Sequence, residues 1–337
     1  LDVLILIFYL VAIIVAAEIF TNAIESLGNK LKFSEGVTGS VFAAVGTALP
    51  ETMVPLVAIF GGNSEHVAEE VGVGAILGAP FMLATLAMFL AGASAWHFRK
   101  KRGSAMINAE PTGLKRDLQF FLFVFSIAFL VAFTPYEWRL FRIFVALVLV
   151  LTYFYYVLET VKASSALVEC GHGTEESKNL YLSAIFKDHM AIVVLQLILG
   201  LALIIFGARG FVHEVEHLAH VLGLPIITLS LLIVPVATEL PEKVNSILWI
   251  RKGKDTMAVG NVTGAMVFQG SLLPAIGIFL TPWSMNVNVL ASSSIALFAG
   301  LWLYVLVIKK RGLHPTALMM NGALYCLFLF LVLYYFL

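Results

Sequence analysis

The chain of 337 residues is 60% hydrophobic and 12% charged, with a mean hydropathy of +0.96. Its 21 basic and 21 acidic side chains cancel, so no basic footprint points to nucleic acid. Its two cysteines, Cys170 in a polar loop and Cys326 in an apolar run, make neither a disulfide framework nor a metal knuckle. Apolar runs of about 20 residues recur, the length that crosses a bilayer as a helix, and they describe a multi-pass integral membrane protein whose solvent is lipid.

Ten spans follow in chain order. The first, Val3 to Leu27, lacks a basic start and contains Glu18 and Glu25, so it reads as structure rather than a signal peptide. Next come Glu35 to Phe60, Glu70 to Phe89, Leu118 to Phe133 and Arg139 to Val161. A polar linker over 162–188 separates these from His189 to Val212, Leu222 to Trp249, Thr256 to Leu280, Val287 to Ile308 and Pro315 to Phe336. Trp96, Tyr136, Trp138 and Trp283 fall near span ends, where an interfacial aromatic belt belongs.

The second and seventh spans share an internal repeat. Val45 to Thr52 reads VGTALPET and Val236 to Lys243 reads VATELPEK. The shift that lays Pro50 on Pro241 and Glu51 on Glu242 also pairs Thr47 with Thr238, Leu49 with Leu240, Glu25 with Glu216 and Phe20 with Phe211. A carboxylate at membrane depth costs at least about 2.5 kcal/mol, so Glu51 and Glu242 must face protein or water. One such glutamate could sit at a helix end and reach the interface, but two in matching repeats point to a site. Each proline breaks its helix and exposes carbonyls that, beside a carboxylate, can bind a cation.

Lysine and arginine set the orientation. Most of the 21 basic residues lie in the connections after the odd-numbered spans, which places the 162–188 linker in the cytoplasm and both termini outside the cell membrane. Five spans per repeat then invert the second half relative to the first. The expected fold is all-α, ten transmembrane helices in two inverted five-helix repeats (1–161 and 189–337), with Glu51 and Glu242 meeting near the midplane. The third and eighth spans carry glycine pairs one turn apart, Gly74 with Gly78 and Gly260 with Gly264, a small-xxx-small pattern for close helix packing.

GTALPE and ATELPE, each followed by a glycine-paired helix, resemble the two alpha repeats of the cation/calcium exchanger superfamily. The resemblance covers nearly the whole chain and implies a sodium/calcium or proton/calcium antiporter, with transported cations and no cofactor. Carried over, it makes Glu51 and Glu242 the central calcium ligands, with Thr47, Thr238 and nearby carbonyls completing the cation sites. Calcium wants six to eight oxygens, largely carboxylate and carbonyl. The chain departs from the family where a serine usually precedes Leu-Pro-Glu, carrying Ala48 in one repeat and Glu239 in the other. At the asparagine-type positions of the glycine helices it has Pro80, Leu83, Met266 and Gln269, so that Asn261 and Gln269 alone keep an amide.

Lys243 directly follows Glu242. It lies four residues after Glu239, the favourable order for a helical ion pair; alternatively its ammonium occupies a cation position. Glu25 and Glu216 are candidates to line the two entrances or cap helix contacts, and Glu18 is open to an ion-pair or a proton-linked role. His213, His217 and His220, with Glu214 and Glu216, have a spacing that could hold a metal on one helix face, though a polar interfacial turn accounts for them equally. An intramembrane enzyme built on paired glutamates is the competing class, but the chain lacks mid-span aspartate pairs, and its one HExxH string, His213 to His217, falls beyond the end of the predicted sixth span. Nothing in the sequence sets an oligomeric state.

Overall fold

A computed structural model describes residues 2–30, 49–61, 65–168, 180–184, 189–223, 225–284, 287–309 and 312–336. The helices in order are α1 (Asp2–Lys30), α2 (Leu49–Gly61) and α3 (Glu65–Met82), which runs through a π-turn (Leu83–Ala87) into α4 (Met88–His97). A basic single turn, α5 (Arg99–Arg102), precedes α6 (Pro111–Val131) and α7 (Arg139–Val168). After a 3₁₀ turn (Tyr181–Ala184) come α8 (Met190–Leu222), α9 (Ile226–Thr238), α10 (Leu240–Arg251), α11 (Asp255–Leu280), α12 (Val287–Ile308) and α13 (Pro315–Phe336). Strand structure among the described residues is one isolated bridge, Ile107 to Leu313.

The last two helices coincide with their predicted spans; others differ for local reasons. α6 begins at Pro111 rather than Leu118 because Glu110 caps it, accepting from the Thr112 and Gly113 N–H groups at 2.7 Å each. Pro111 fits the first turn, where a missing N–H costs nothing. Partial burial works against ionising Glu110, and these bonds outweigh it, holding its carboxyl below the usual range. α7 continues to Val168, into the predicted linker. α8 is 33 residues, about 50 Å at 1.5 Å per residue, and ends where Gly223 takes φ 66°. His213, Glu214, Glu216, His217 and His220 therefore lie on this helix, not in a turn beyond it. No group of three or more such side chains able to hold a metal forms among the described residues. The predicted seventh span is two helices, broken at Glu239.

Six described helical stretches are long and apolar enough to cross a membrane, and α1, α2 and α9 contribute shorter apolar runs. The outer surface suits lipid: Phe144, Leu147, Leu151, Phe154 and Leu158 of α7 are all exposed. In water such a face would be an aggregation hazard. Trp96, Tyr136 and Trp138 are exposed as an interfacial belt requires, whereas Trp283 is fully buried. Its ring fills the space beside Gly277 and its Nε1–H donates to the Ala128 carbonyl at 3.0 Å, so it is a core residue rather than a belt residue.

Packing is reciprocal between the halves. α6 and α7 lie against α11 of the second half, while α12 and α13 lie against α3, the π-turn and α4 of the first. α1 pairs with α8 along its length, Gly200 against Phe20 and Gly207 against Ile13. The tightest approach to the centre is α3 on α9. A Cβ at Gly74 would lie 2.8 Å from the Ile227 carbonyl oxygen, and one at Gly78 would overlap the Leu231 carbonyl. The matching pair behaves differently: among the described residues, nothing lies within 4 Å of a Cβ at Gly260, and Gly264 meets only the Tyr156 hydroxyl at 3.5 Å. On the α11 side the helix start is fixed by Asp255, which accepts from Arg102 Nη2 at 2.6 and 2.7 Å and from Asn108 N–H at 2.7 Å.

Two outcomes test this packing. Gly78→Val forces α3 off α9 and lowers stability by about 1–3 kcal/mol, read as a lower Tm or loss of monodisperse protein in detergent. Asp255→Ala strands a nearly buried guanidinium and costs about 3–5 kcal/mol, while Asp255→Asn, which keeps acceptor capacity, costs less.

Candidate cation site

The site is built at two helix starts. Leu49, Pro50 and Glu51 open α2, and Leu240, Pro241 and Glu242 open α10, so each glutamate stands in a first turn. Proline is accommodated there and carboxylates are favoured by the positive end of the helix dipole. Glu239, at φ −91° and ψ 10°, forms the break between α9 and α10. Asn261 of α11 donates to the Glu242 backbone carbonyl at 3.4 Å, and Ser246 of α10 donates to the Ala258 carbonyl at 3.0 Å, tying α10 to α11.

All four charged side chains here are withdrawn from solvent: Glu51 is 3%, Glu239 0%, Glu242 4% and Lys243 4% exposed. They form one cluster. The charged groups acting on Glu51 are Glu242, Glu239 and Lys243, and the Glu51 and Glu242 carboxyls face each other at close range. Two ionised carboxylates have only acceptors to offer, so neither can satisfy the other. Among the described residues, both oxygens of Glu51, both of Glu239, Oε2 of Glu242 and Oε1 of Gln269 have no hydrogen-bond partner, the Lys243 ammonium standing off from Glu239 at ion-pair distance. Gln269 of α11 lies beside Glu239. Such a concentration of buried unsatisfied acceptors is rare in folded proteins and calls for a positive ligand.

Lys243 Nζ lies 3.5 Å from Glu239 Oε2 and donates to the Pro235 carbonyl at 3.1 Å. The i, i+4 ion pair expected from sequence is present, at a distance longer than the roughly 2.7–2.9 Å of a strong charge-assisted bond. The lysine is not directed away from the glutamates, however: it also bears on Glu242 and Glu51. Thr238 is buried at the end of α9 and turns its hydroxyl hydrogen to the Val234 carbonyl at 3.2 Å.

Other expected residues stand apart or lie outside the description. Thr47 falls outside the described residues, as does Ala48, and of Glu25 only its place in α1 is described. Glu216 sits on the last two turns of α8 and is not among the charged groups named as acting on Glu51, Glu239 or Glu242. Glu18 accepts from the Tyr181 hydroxyl at 2.7 Å. Asp117 lies one residue before the predicted fourth span, so hydrophobicity does not mark it. It is 5% exposed and accepts from Thr263 Oγ1 at 2.8 Å and Tyr156 OH at 3.1 Å, joining α6 and α7 to the glycine helix α11. The Glu-Pro-Thr-Gly sequence just upstream was the available signal. Buried Ser230 of α9, which packs against Gly74, was also unmarked.

A lipid-faced helical bundle that buries three carboxylates and an ammonium at helix breaks is a membrane transport protein for cations. The chain belongs to the sodium/calcium exchanger protein family, whose model matches residues 1–161 and 192–337. It is similar to the inner membrane protein YrbG of Escherichia coli, 27% identical over 252 residues that cover 74% of this chain and 71% of that one. It is also similar to the sodium/calcium exchanger MaX1 of Methanosarcina acetivorans, 25% identical over 326 residues, 84% of each chain. The fold matches the crystal structure of the H+/Ca2+ exchanger CAX, with a TM-score of 0.65 at 18% identity, over 98% of this chain and 88% of that one. The family is one of transporters, not enzymes, which removes the intramembrane enzyme reading.

One outcome follows from the pair geometry. In a sodium-free choline medium, Lys243→Met leaves Glu239 unpaired and lowers stability by about 3–5 kcal/mol. The neutral double variant E239Q/K243M recovers most of that loss, both read by thermal unfolding in detergent.

Proposed function

We propose that the protein is a secondary active antiporter that exchanges calcium for sodium or protons across the cell membrane, by alternating access to a site between two inverted five-helix repeats. The observation that carries this reading is the cluster at the two helix starts, where Glu51 and Glu242 converge with buried oxygens that no donor among the described residues satisfies. Membership of the family and the reciprocal packing of α6–α7 on α11 and α12–α13 on α3–α4 support it.

In this reading Glu51 and Glu242 are the calcium ligands. Gln269 Oε1, Thr238, Thr47 and the carbonyls freed at the breaks supply further oxygens, within the six to eight that calcium takes. Asn261 positions α10 through the Glu242 carbonyl. Coupling follows from electrostatics. An empty site leaves carboxylates uncompensated in a low-dielectric interior, a cost of several kcal/mol per ion. The protein therefore changes its exposed side readily when the charge is neutralised, either by calcium or by monovalent cations, and exchange wins over leak. Both termini lie outside and the 162–188 linker in the cytoplasm.

Tracer calcium movement in proteoliposomes, with sodium and proton gradients imposed in turn, tests the reading and identifies the counter-ion. Glu51→Gln and Glu242→Gln keep side-chain volume but remove ligand charge, and each reduces uptake by more than about tenfold, or over 1.4 kcal/mol of cation affinity, while the protein stays folded. Calcium uptake with neither gradient effective, or full uptake by either variant, defeats the proposal. Protons compete with calcium for the same carboxylate oxygens, so apparent calcium affinity falls as the medium is acidified from neutral pH toward about pH 5, still above the roughly 4.3 of a free glutamate. An affinity that stays flat over that interval removes the competition.

A further inference from the structure

The Lys243 ammonium has a second partner besides Glu239: the carbonyl of Pro235, one turn before the end of α9. That carbonyl also accepts from the Glu239 N–H at 3.2 Å, so it stands at the helix break itself. A carbonyl oxygen has a second lone pair, so the Pro235 carbonyl keeps its helical bond and still accepts from the ammonium, and in the last turn of a helix it carries the negative end of the helix dipole. In broken-helix transporters such C-terminal ends, with a nearby carboxylate, are where monovalent cations bind. Here both elements are present, a carbonyl at 3.1 Å and a carboxylate oxygen at 3.5 Å, and an ammonium stands between them. With all four groups in their ionised forms, Glu51, Glu239 and Glu242 against Lys243 would leave a formal charge of two negatives, the charge of one calcium ion.

We propose that Lys243 is a tethered substitute for a transported monovalent cation, held at an alkali-cation position formed by the Pro235 carbonyl and Glu239, so that each cycle carries one monovalent cation fewer than it would without the lysine. This rests on the antiport reading for its transport consequence, but the occupancy itself is a binding property. A purely structural ion pair would hold Glu239 in place without defining a position that a free ion can fill.

The test compares wild type, K243M and E239Q/K243M in detergent, with sodium chloride replacing choline chloride at constant ionic strength. In K243M a sodium ion takes the vacated position, so its Tm rises with sodium by several degrees more than that of wild type; a ligand that binds only the folded state stabilises it in this way. E239Q/K243M lacks the carboxylate and loses the excess. In proteoliposomes K243M shows a steeper dependence on the monovalent counter-ion and moves one more monovalent charge per calcium. A sodium response in K243M equal to that of wild type overturns the inference, because Glu239 has then simply taken up a proton. So does a K243M protein that aggregates at every sodium or potassium concentration while E239Q/K243M folds. The detergent measurement needs no calcium movement. A wild type that exchanges no tracer calcium therefore defeats the antiport reading and leaves the lysine inference to be decided by its own Tm data.

Discussion

Buried carboxylates that outnumber the donors described around them, three against the one ammonium of Lys243, are the constraint on which the rest of this structure depends. Glu51, Glu239 and Glu242 would each be cheaper to leave at the surface. Keeping them together requires a stiff frame, and the frame is visible in how α3, α9 and α11 are arranged. Gly74 and Gly78 let α3 press directly on the backbone of α9, so the half-helix that ends at Glu239 is braced over most of its length. Asn261 and Ser246 then tie α10 to α11, fixing the other side of the break. The unsatisfied oxygens are thus confined by neighbours that cannot easily relax, and relaxation is what would otherwise quench them.

The same logic explains why the helices on the outside look ordinary. α7 and the lipid-facing side of α8 carry large apolar side chains with few polar contacts, since lipid asks only for apolar surface and internal backbone bonding. Several polar residues deeper in the bundle are paired. Asp117 is met by Thr263 and Tyr156, Asn288 donates to Thr228 at 2.7 Å, and Gln196 donates to Asn22 and to the Ile19 carbonyl at 2.9 Å each. The Glu51–Glu239–Glu242 cluster stands out because, among the described residues, the buried carboxylate oxygens without a hydrogen-bond donor are gathered there.

Much of this could be read from residues alone. Long apolar runs bounded by charge located α12 and α13 to the residue, and the doubled Leu-Pro-Glu identified Glu51 and Glu242 because a buried carboxylate is costly enough to mark itself. The i, i+4 spacing gave the Glu239–Lys243 pair. What the sequence hid depends on tertiary geometry. A proline after Glu239 reads as a kink or as the start of a new helix, and only packing decided for two helices. Trp283 near a span end looks like an interfacial anchor until the gap beside Gly277 is known to accept its ring. Gly260 and Gly264 repeat the spacing of Gly74 and Gly78, yet no described helix backbone presses on them. Spacing shows that a close approach is possible, not that a partner is there. Asp117 is hidden by a cap about two turns upstream, where Glu110 and Pro111 start the helix earlier than hydrophobicity alone suggests.

The π-turn between α3 and α4 has a consequence for phase. On an uninterrupted helix, at about 100° per residue, Gly78 and Gly92 would lie within roughly 40° of each other and face the same neighbour. The structure instead sets Gly78 against Leu231 of α9 and Gly92 against the Pro315 carbonyl and Leu318 of α13. A π-turn absorbs one extra residue, which rotates everything beyond it by about 100°. Its loosened backbone is held by the Asn321 amide, which donates to the Ala84 carbonyl at 2.7 Å. One span thereby presents glycines to two different helices on different sides. Removing a single residue from Leu83–Ala87 would shorten the protein hardly at all. It would swing Gly92 away from α13 and turn the outer half of the span to a new set of neighbours, so the register of this helix is set by a one-residue insertion in its middle rather than by either of its ends.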